Sequence, residues 1–235
     1  MHPKPCVIIT GSSQGLGFAL TELFLKSSSL TVIGCSRKHS TKIKRLEKKY
    51  PQRFYFLRGD ITQQPFIQSI FNFIKKQSLY PEVLINNAGL LIKEPFLKAR
   101  QSSAERMYAV NVLAPMVLMQ YALKARPQNK ALHIINIASM GGLQGSVKFA
   151  GLSLYASTKA ALITLSECIA EECKNVPVRC NVIALGATQT EMFSKAFPQF
   201  KAPVLPEQIA QWIFQFAIAE PVINGKIIPL ALSNP

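Results

Sequence analysis

The chain has 235 residues, enough for one α/β domain with a large core. Apolar residues make up 49% and charged residues 17%, a balance that excludes an extended disordered chain. Lysine and arginine number 27 against 12 aspartates and glutamates, so the net charge of +15 favours anionic ligands or partners without naming one.

From Met1 the chain passes almost at once into an apolar run at 6–9. No secretory leader fits there, and a cytoplasmic location is expected. Short β-branched runs predict strands at 7–10, 30–35, 54–57, 83–86, 132–137, 178–184 and 226–229. Amphipathic stretches between them predict helices at 15–26, 42–50, 65–77, 103–125, 155–174 and 206–219. Strands alternating with helices give βαβ crossovers. The expectation is one doubly wound Rossmann domain over residues 1–235, a parallel seven-stranded sheet with helices on both faces. Runs such as His133-Ile134-Ile135-Asn136-Ile137 are apolar on both sides, as buried parallel strands are.

The longest apolar stretch, 107–123, is interrupted by Asn111, Pro115 and Gln120 and reads as a buried helix, not a membrane span. The basic cluster at 38–49 reads as a solvated helix. No basic run is interleaved with aromatic residues, so nucleic-acid binding is not expected. Five cysteines without a Cys-x-x-Cys pair read as reduced thiols, and three scattered histidines give no metal site. The stretch 197–206 reads as a mobile loop over a site.

The first strand runs into Thr10-Gly11-Ser12-Ser13-Gln14-Gly15-Leu16-Gly17, which opens a helix. Glycines there allow a tight turn, close approach to a pyrophosphate and close helix–strand packing, with the phosphate at the helix N-terminus. After the second strand a site for NAD needs a carboxylate for the ribose hydroxyls. The chain instead has Cys35-Ser36-Arg37-Lys38, whose hydroxyl and guanidinium suit a 2′-phosphate. The cofactor expected on this chemistry is NADP, as NADPH in a reducing pool.

Three further features fall at strand ends, where open α/β sheets bind ligands: Asn86-Asn87-Ala88-Gly89, Ser139, and Tyr155-Ala156-Ser157-Thr158-Lys159. Tyr155 and Lys159 are four apart and share a helix face. A phenol titrates near ~10 and needs about 4 kcal/mol to approach ~7. An ammonium about 4 Å away contributes roughly that at an effective dielectric near ~20. Ser139 can hydrogen-bond an oxygen on which charge develops.

Taken together, Thr10-Gly11-x-x-x-Gly15-x-Gly17, Asp60, Asn86-Asn87-Ala88-Gly89, Asn111, Ser139 and Tyr155-x-x-x-Lys159 resemble the short-chain dehydrogenase/reductase family over nearly the whole chain. The resemblance implies Tyr155 as general acid/base and Lys159 as the group that lowers its pKa and binds the nicotinamide ribose. It implies that Ser139 polarises the substrate oxygen and that Asn111 holds a water linking Lys159 to solvent. The cofactor contacts it implies are Gly11, Ser12, Ser13, Gln14, Gly15, Leu16, Gly17, Ser36, Arg37, Asp60, Ile61, Asn87, Ala88 and Gly89, then Tyr155, Lys159, Gly186, Thr188 and Thr190. Asp60 would meet the adenine and Asn87 the adenosine ribose.

The chain departs from the family pattern in four places. Leu185-Gly186 stands where Pro-Gly is usual, the loop from Ser139 to Tyr155 is long, and the segment from Thr190 to Pro206 is short. The end Leu230-Ala231-Leu232-Ser233-Asn234-Pro235 lacks a closing glycine pair. The function expected is reversible, NADPH-dependent hydride transfer to a ketone or aldehyde, on a small-molecule or carrier-bound substrate. A cofactor-binding regulator of the same fold is the competing reading. The apolar faces of 103–125 and 155–174 suit a homodimer, or one step in a homotetramer.

Overall fold

The computed structural model describes residues 3–219 and 222–232. Strand β1 (Lys4–Thr10) shows how the sheet is buried: Val7 and Ile9 enter one apolar cluster, Cys6 and Ile8 the other, and all four are inaccessible to solvent. Alternate side chains leave a strand on opposite faces, so a strand apolar at every position must be covered twice. It is flanked by β2 (Thr31–Ser36) and β4 (Leu79–Asn86). With β3 (Phe54–Arg58), β5 (Leu132–Ser139), β6 (Val178–Leu185) and β7 (Ile227–Leu230), the parallel order is β3-β2-β1-β4-β5-β6-β7.

One face is covered by α1 (Gly15–Ser27) and α8 (Pro206–Ile218), whose Phe24 and Phe214 meet edge to face at 4.9 Å. The opposite face packs on α3 (Gln64–Lys76), α5 (Ala114–Ala125) and α6 (Ser153–Glu172). The basic α2 (Thr41–Lys49) buries Ile43 and Leu46 and turns its lysines outward. The chain leaves β1 toward β2 and β3, then crosses back to β4. The carboxyl ends of β1 and β4 therefore flank the crevice where such sheets take ligands.

Three sequence expectations change. The helix expected over 103–125 is divided: α4 (Gln101–Tyr108) leads into a π-helical segment, Ala109–Leu113, and then α5. Pro115 has no N–H for the Asn111 carbonyl, and the ladder widens so that the Ala114 N–H reaches the Ala109 carbonyl. Strand β4 starts four residues before the predicted 83, because Leu79 and Tyr80 pair with Lys4 and Pro5 ahead of a register shift at Pro81. The segment 197–206, expected as a mobile loop, is tied down. It follows a short helix, α7 (Glu191–Ala196), and Val204 pairs with Thr188, with the Gln189 N–H donating to the Val204 carbonyl at 2.8 Å. The C-terminal departure noted above lies partly outside the described residues, at 233–235.

Candidate active site

Where β1, β4, β5 and β6 end, a cleft of about 1490 Å³ opens. That exceeds the volume a single small ligand needs and suits a dinucleotide with a second molecule. Every sequence-predicted site residue lines it except Ser12 and Asn111, which are buried behind its wall.

At the glycine end, Gly11 has φ +69°, a conformation other residues adopt at a cost, and its N–H donates to the Cys35 carbonyl at 2.8 Å. A side chain at Gly17 would lie 2.3 Å from the Gly11 carbonyl oxygen, so only glycine lets α1 start this close to β1. Gln14 caps α1 without a side-chain bond and the first turn holds no acid, leaving its N–H groups for an anion. Thr10 ties the turn to β4: its hydroxyl accepts from the Asn87 and Ala88 N–H groups at 3.0 and 2.9 Å. Asn87 Nδ2 donates back to the Thr10 carbonyl at 2.8 Å. The Asn87 amide nitrogen is thus committed to the turn.

At the end of β2, the Ser13 and Ser36 hydroxyls lie 2.8 Å apart, with Arg37 and Lys38 exposed beside them. Arg58 Nε donates to the Arg37 carbonyl at 3.2 Å and adds a third cation to this corner. Asp60 Oδ1 accepts from the Thr62 N–H and hydroxyl, both at 2.9 Å, an arrangement that fixes the turn after β3 beside the buried Ile61.

At the opposite end, Ser139 closes β5 and its hydroxyl accepts from the Gly141 N–H at 3.3 Å. Lys159 is buried, donates to the Ile137 carbonyl at 2.8 Å, and lies 5.8 Å from the centre of the Tyr155 ring. This differs from the electrostatic expectation drawn from spacing. Enclosure pushes the Tyr155 phenol up to about 12, while its hydrogen bond with Ser139 pulls the other way. Burial pushes the Lys159 ammonium down to about 8. Nζ here is turned to the Ile137 carbonyl.

Asn111 sits in the π segment, fully buried. Its Oδ1 accepts from the Leu90 N–H at 2.8 Å, and its Nδ2 donates to the Leu90 carbonyl and the Thr158 hydroxyl at 2.9 and 3.0 Å. Its side chain is therefore a tie within the cleft wall. Gly186 is held by its N–H on the Leu230 carbonyl at 2.9 Å, and the Thr188 hydroxyl donates to the Gly186 carbonyl at 3.3 Å. The Thr190 hydroxyl accepts from the Phe193 N–H at 3.1 Å and caps α7.

Residues that sequence reasoning missed also line the cleft, among them Lys93, Phe149, Phe193, Phe197 and Phe200. No motif marks them; only the clustering of phenylalanines and lysines at 193–201 hinted at a shared surface. Among the described residues, no group of three or more His, Cys, Asp or Glu could hold a metal ion. No helix among them is long and apolar enough to cross a membrane.

The short chain dehydrogenase family model matches residues 5–201. The chain is 32% identical over 194 residues to benzil reductase ((S)-benzoin forming) of Bacillus cereus, covering 79% of this chain and 76% of that one. It is 28% identical to an NADP-dependent 3-hydroxy acid dehydrogenase of Schizosaccharomyces pombe, with 88% and 84% covered. Among solved structures, ElxO with NADP bound superposes with a TM-score of 0.84 at 28% identity, covering 97% of this chain and 96% of that one. The chain belongs to the short-chain dehydrogenases, a family of oxidoreductases.

Proposed function

We propose that the protein is an NADPH-dependent reductase of ketones or aldehydes. The observation that carries this reading is one cleft with Ser139, Tyr155 and Lys159 at one end and Ser13, Ser36 and Arg37 at the other, where β2 ends without a carboxylate of its own. The residues fit the cofactor: Gly11 and Gly17 let α1 start close against the ends of β1 and β4, and α1 presents N–H groups without a side-chain cap. Gly11, Ser13, Gln14, Gly15, Leu16 and Gly17 would hold the pyrophosphate, with Ser12 bracing the turn from behind. Ser36 and Arg37 would take the 2′-phosphate, and Asp60, Ile61, Asn87, Ala88 and Gly89 the adenosine. Lys159, Gly186, Thr188 and Thr190 would hold the nicotinamide end. The names of the two relatives and the NADP bound to ElxO support the same reading.

When bound, the cofactor supplies the hydride. Ser139 and Tyr155 donate hydrogen bonds to the carbonyl oxygen, and Tyr155 gives it a proton as charge develops there. Lys159 then answers the phenolate: an ammonium already near its titration point can pass on a proton as well as stabilise the anion. The carbonyl of Asn111, deprived of a donor by Pro115, is the group for a water that would reload the lysine. We place the protein in the cytoplasm as a homodimer or homotetramer.

A regulator that binds NADPH without turnover is the competing reading. The experiment that decides follows NADPH and NADH oxidation over a panel of carbonyl compounds. Wild type turns over with NADPH and Tyr155→Phe does not; cofactor binding with no turnover on any carbonyl favours the regulator.

A further inference from the structure

Beyond Tyr155, the cleft wall is aromatic and its rim is cationic. Phe149, Phe193 and Phe200 each pack on Phe197, with ring centres 6.2, 5.3 and 6.4 Å away. Phe149 and Phe200 remain 45% and 66% exposed, a large apolar surface to leave in water beside a cleft. Lys93, Lys148, Lys195 and Lys201 line the cleft, whose lining carboxylates are Glu191, in the side recess with Lys93, and Asp60, after β3.

These lysines are not equivalent. Lys148 is engaged with the Leu143 carbonyl and the Ser146 hydroxyl of its own loop. Lys93, exposed at the cleft's edge, has its Nζ 4.4 Å from the centre of the Phe197 ring and 3.1 Å from the Ala196 carbonyl. It also borders a side recess of about 350 Å³ formed with Leu91, Met192 and Lys195. An ammonium has three donors, and one bond to a carbonyl leaves the others for an anion. A ring stacked against Phe149 or Phe197 would bring its own substituents to that ammonium.

We propose that the substrate is a carbonyl compound with an aryl body and a carboxylate, the aryl group lying on Phe149 and Phe197 and the carboxylate meeting Lys93. This rests on the reductase reading and adds to it a specificity-determining residue. The aromatic wall alone would suit any apolar ketone; the cation set within it selects the acid.

The test uses the full chain with NADPH and compares 4-oxo-4-phenylbutanoate with its methyl ester, alike in ring and ketone and different in charge. The expected kcat/KM favours the acid by about fivefold at low salt, the upper range for an exposed ion pair. Lys93→Met brings the acid-to-ester ratio to about one, whereas Lys93→Arg keeps it. Lys130→Met, which removes the same charge beyond the opposite end of β5, leaves the ratio as in wild type. An acid no better than its ester, or a ratio that Lys93→Met does not change, overturns the proposal while leaving the reductase reading standing. Absence of turnover on every compound of the carbonyl panel strikes that underlying reading instead. Calorimetry then decides on binding alone, with 4-phenylbutanoate and 4-phenylbutanamide as unreactive probes. Tighter binding of the carboxylate, lost in Lys93→Met, supports the assignment; equal or absent binding overturns it.

Discussion

Replacing Gly17 with alanine tests whether the glycine turn is built for close approach. The new Cβ would lie 2.3 Å from the Gly11 oxygen, 2.5 Å from Asn87 Nδ2 and 2.8 Å from the Gly11 carbonyl carbon. Ordinary contact begins near 3.4 Å, so α1 must retreat by about 1 Å or the turn must deform. Neither neighbour can yield easily. One is backbone, and the other is the amide that clamps the Thr10 carbonyl. Overpacking of this kind costs about 1–3 kcal/mol, which for a chain of this size lowers Tm by roughly 2–12 °C. The same retreat draws the α1 N-terminus away from the pyrophosphate and weakens NADPH binding by about tenfold or more. Urea unfolding of the ligand-free protein and fluorescence titration with NADPH measure the two effects separately. Gly141→Ala is the companion, because its Cβ would meet only the Ser139 hydroxyl, at 3.7 Å, and its unfolding free energy should stay within about 0.5 kcal/mol of wild type. Unfolding and NADPH affinity both unchanged in Gly17→Ala would refute the packing argument.

Tyr155→Phe lowers kcat/KM for carbonyl reduction by about 10²–10⁴-fold with NADPH binding retained; unchanged turnover would remove the tyrosine from the chemistry. Arg37→Ala weakens NADPH by about tenfold and NADH hardly at all, read by titration with each; equal losses would contradict the 2′-phosphate assignment. His133 is buried between Ala217 and Asn181, and burial holds its imidazole down at about 4. Since the unfolded chain takes up that proton near ~6.5 and the folded one only near 4, stability is lost as pH falls through this window, by up to about 3 kcal/mol. Urea midpoints at pH 7 and pH 4.5 measure it, and His133→Gln should flatten the slope. Sedimentation at micromolar concentration should show a dimer or tetramer, through a surface that includes Leu113, 51% exposed on the π segment; a monomer alone would refute the assembly.

The architecture was legible because parallel strands write their burial directly into sequence: all seven appear as short runs of β-branched or aromatic residues between amphipathic stretches. What was missed depended on pairing partners distant in the chain. Leu79 and Tyr80 fall between the predicted helix and strand and become part of β4 only with Lys4 and Pro5 beside them. Val204 becomes strand-like only through Thr188. The cleft's glycine turn, Ser139 and the Tyr155–Lys159 pair were legible because each combines residue type with position at a strand end. Rotamers are not written at that level. Spacing brings Lys159 onto the face of Tyr155 but does not say that its Nζ would turn to the Ile137 carbonyl. The aromatic wall was invisible for a different reason: Phe149 and Phe197 are 48 positions apart and meet only after folding.

The tie made by Asn111 has a mechanical meaning. By pairing with both backbone groups of Leu90 and with Thr158, whose hydroxyl donates to the Tyr155 carbonyl at 2.7 Å, it ties the segment after β4 to the helix bearing Tyr155. These parts shift as one block or not at all. Accommodation of differently shaped substrates therefore falls to α7 and to the largely exposed segment 144–150. One wall keeps the reacting atoms in register, and the other can be reshaped without disturbing them.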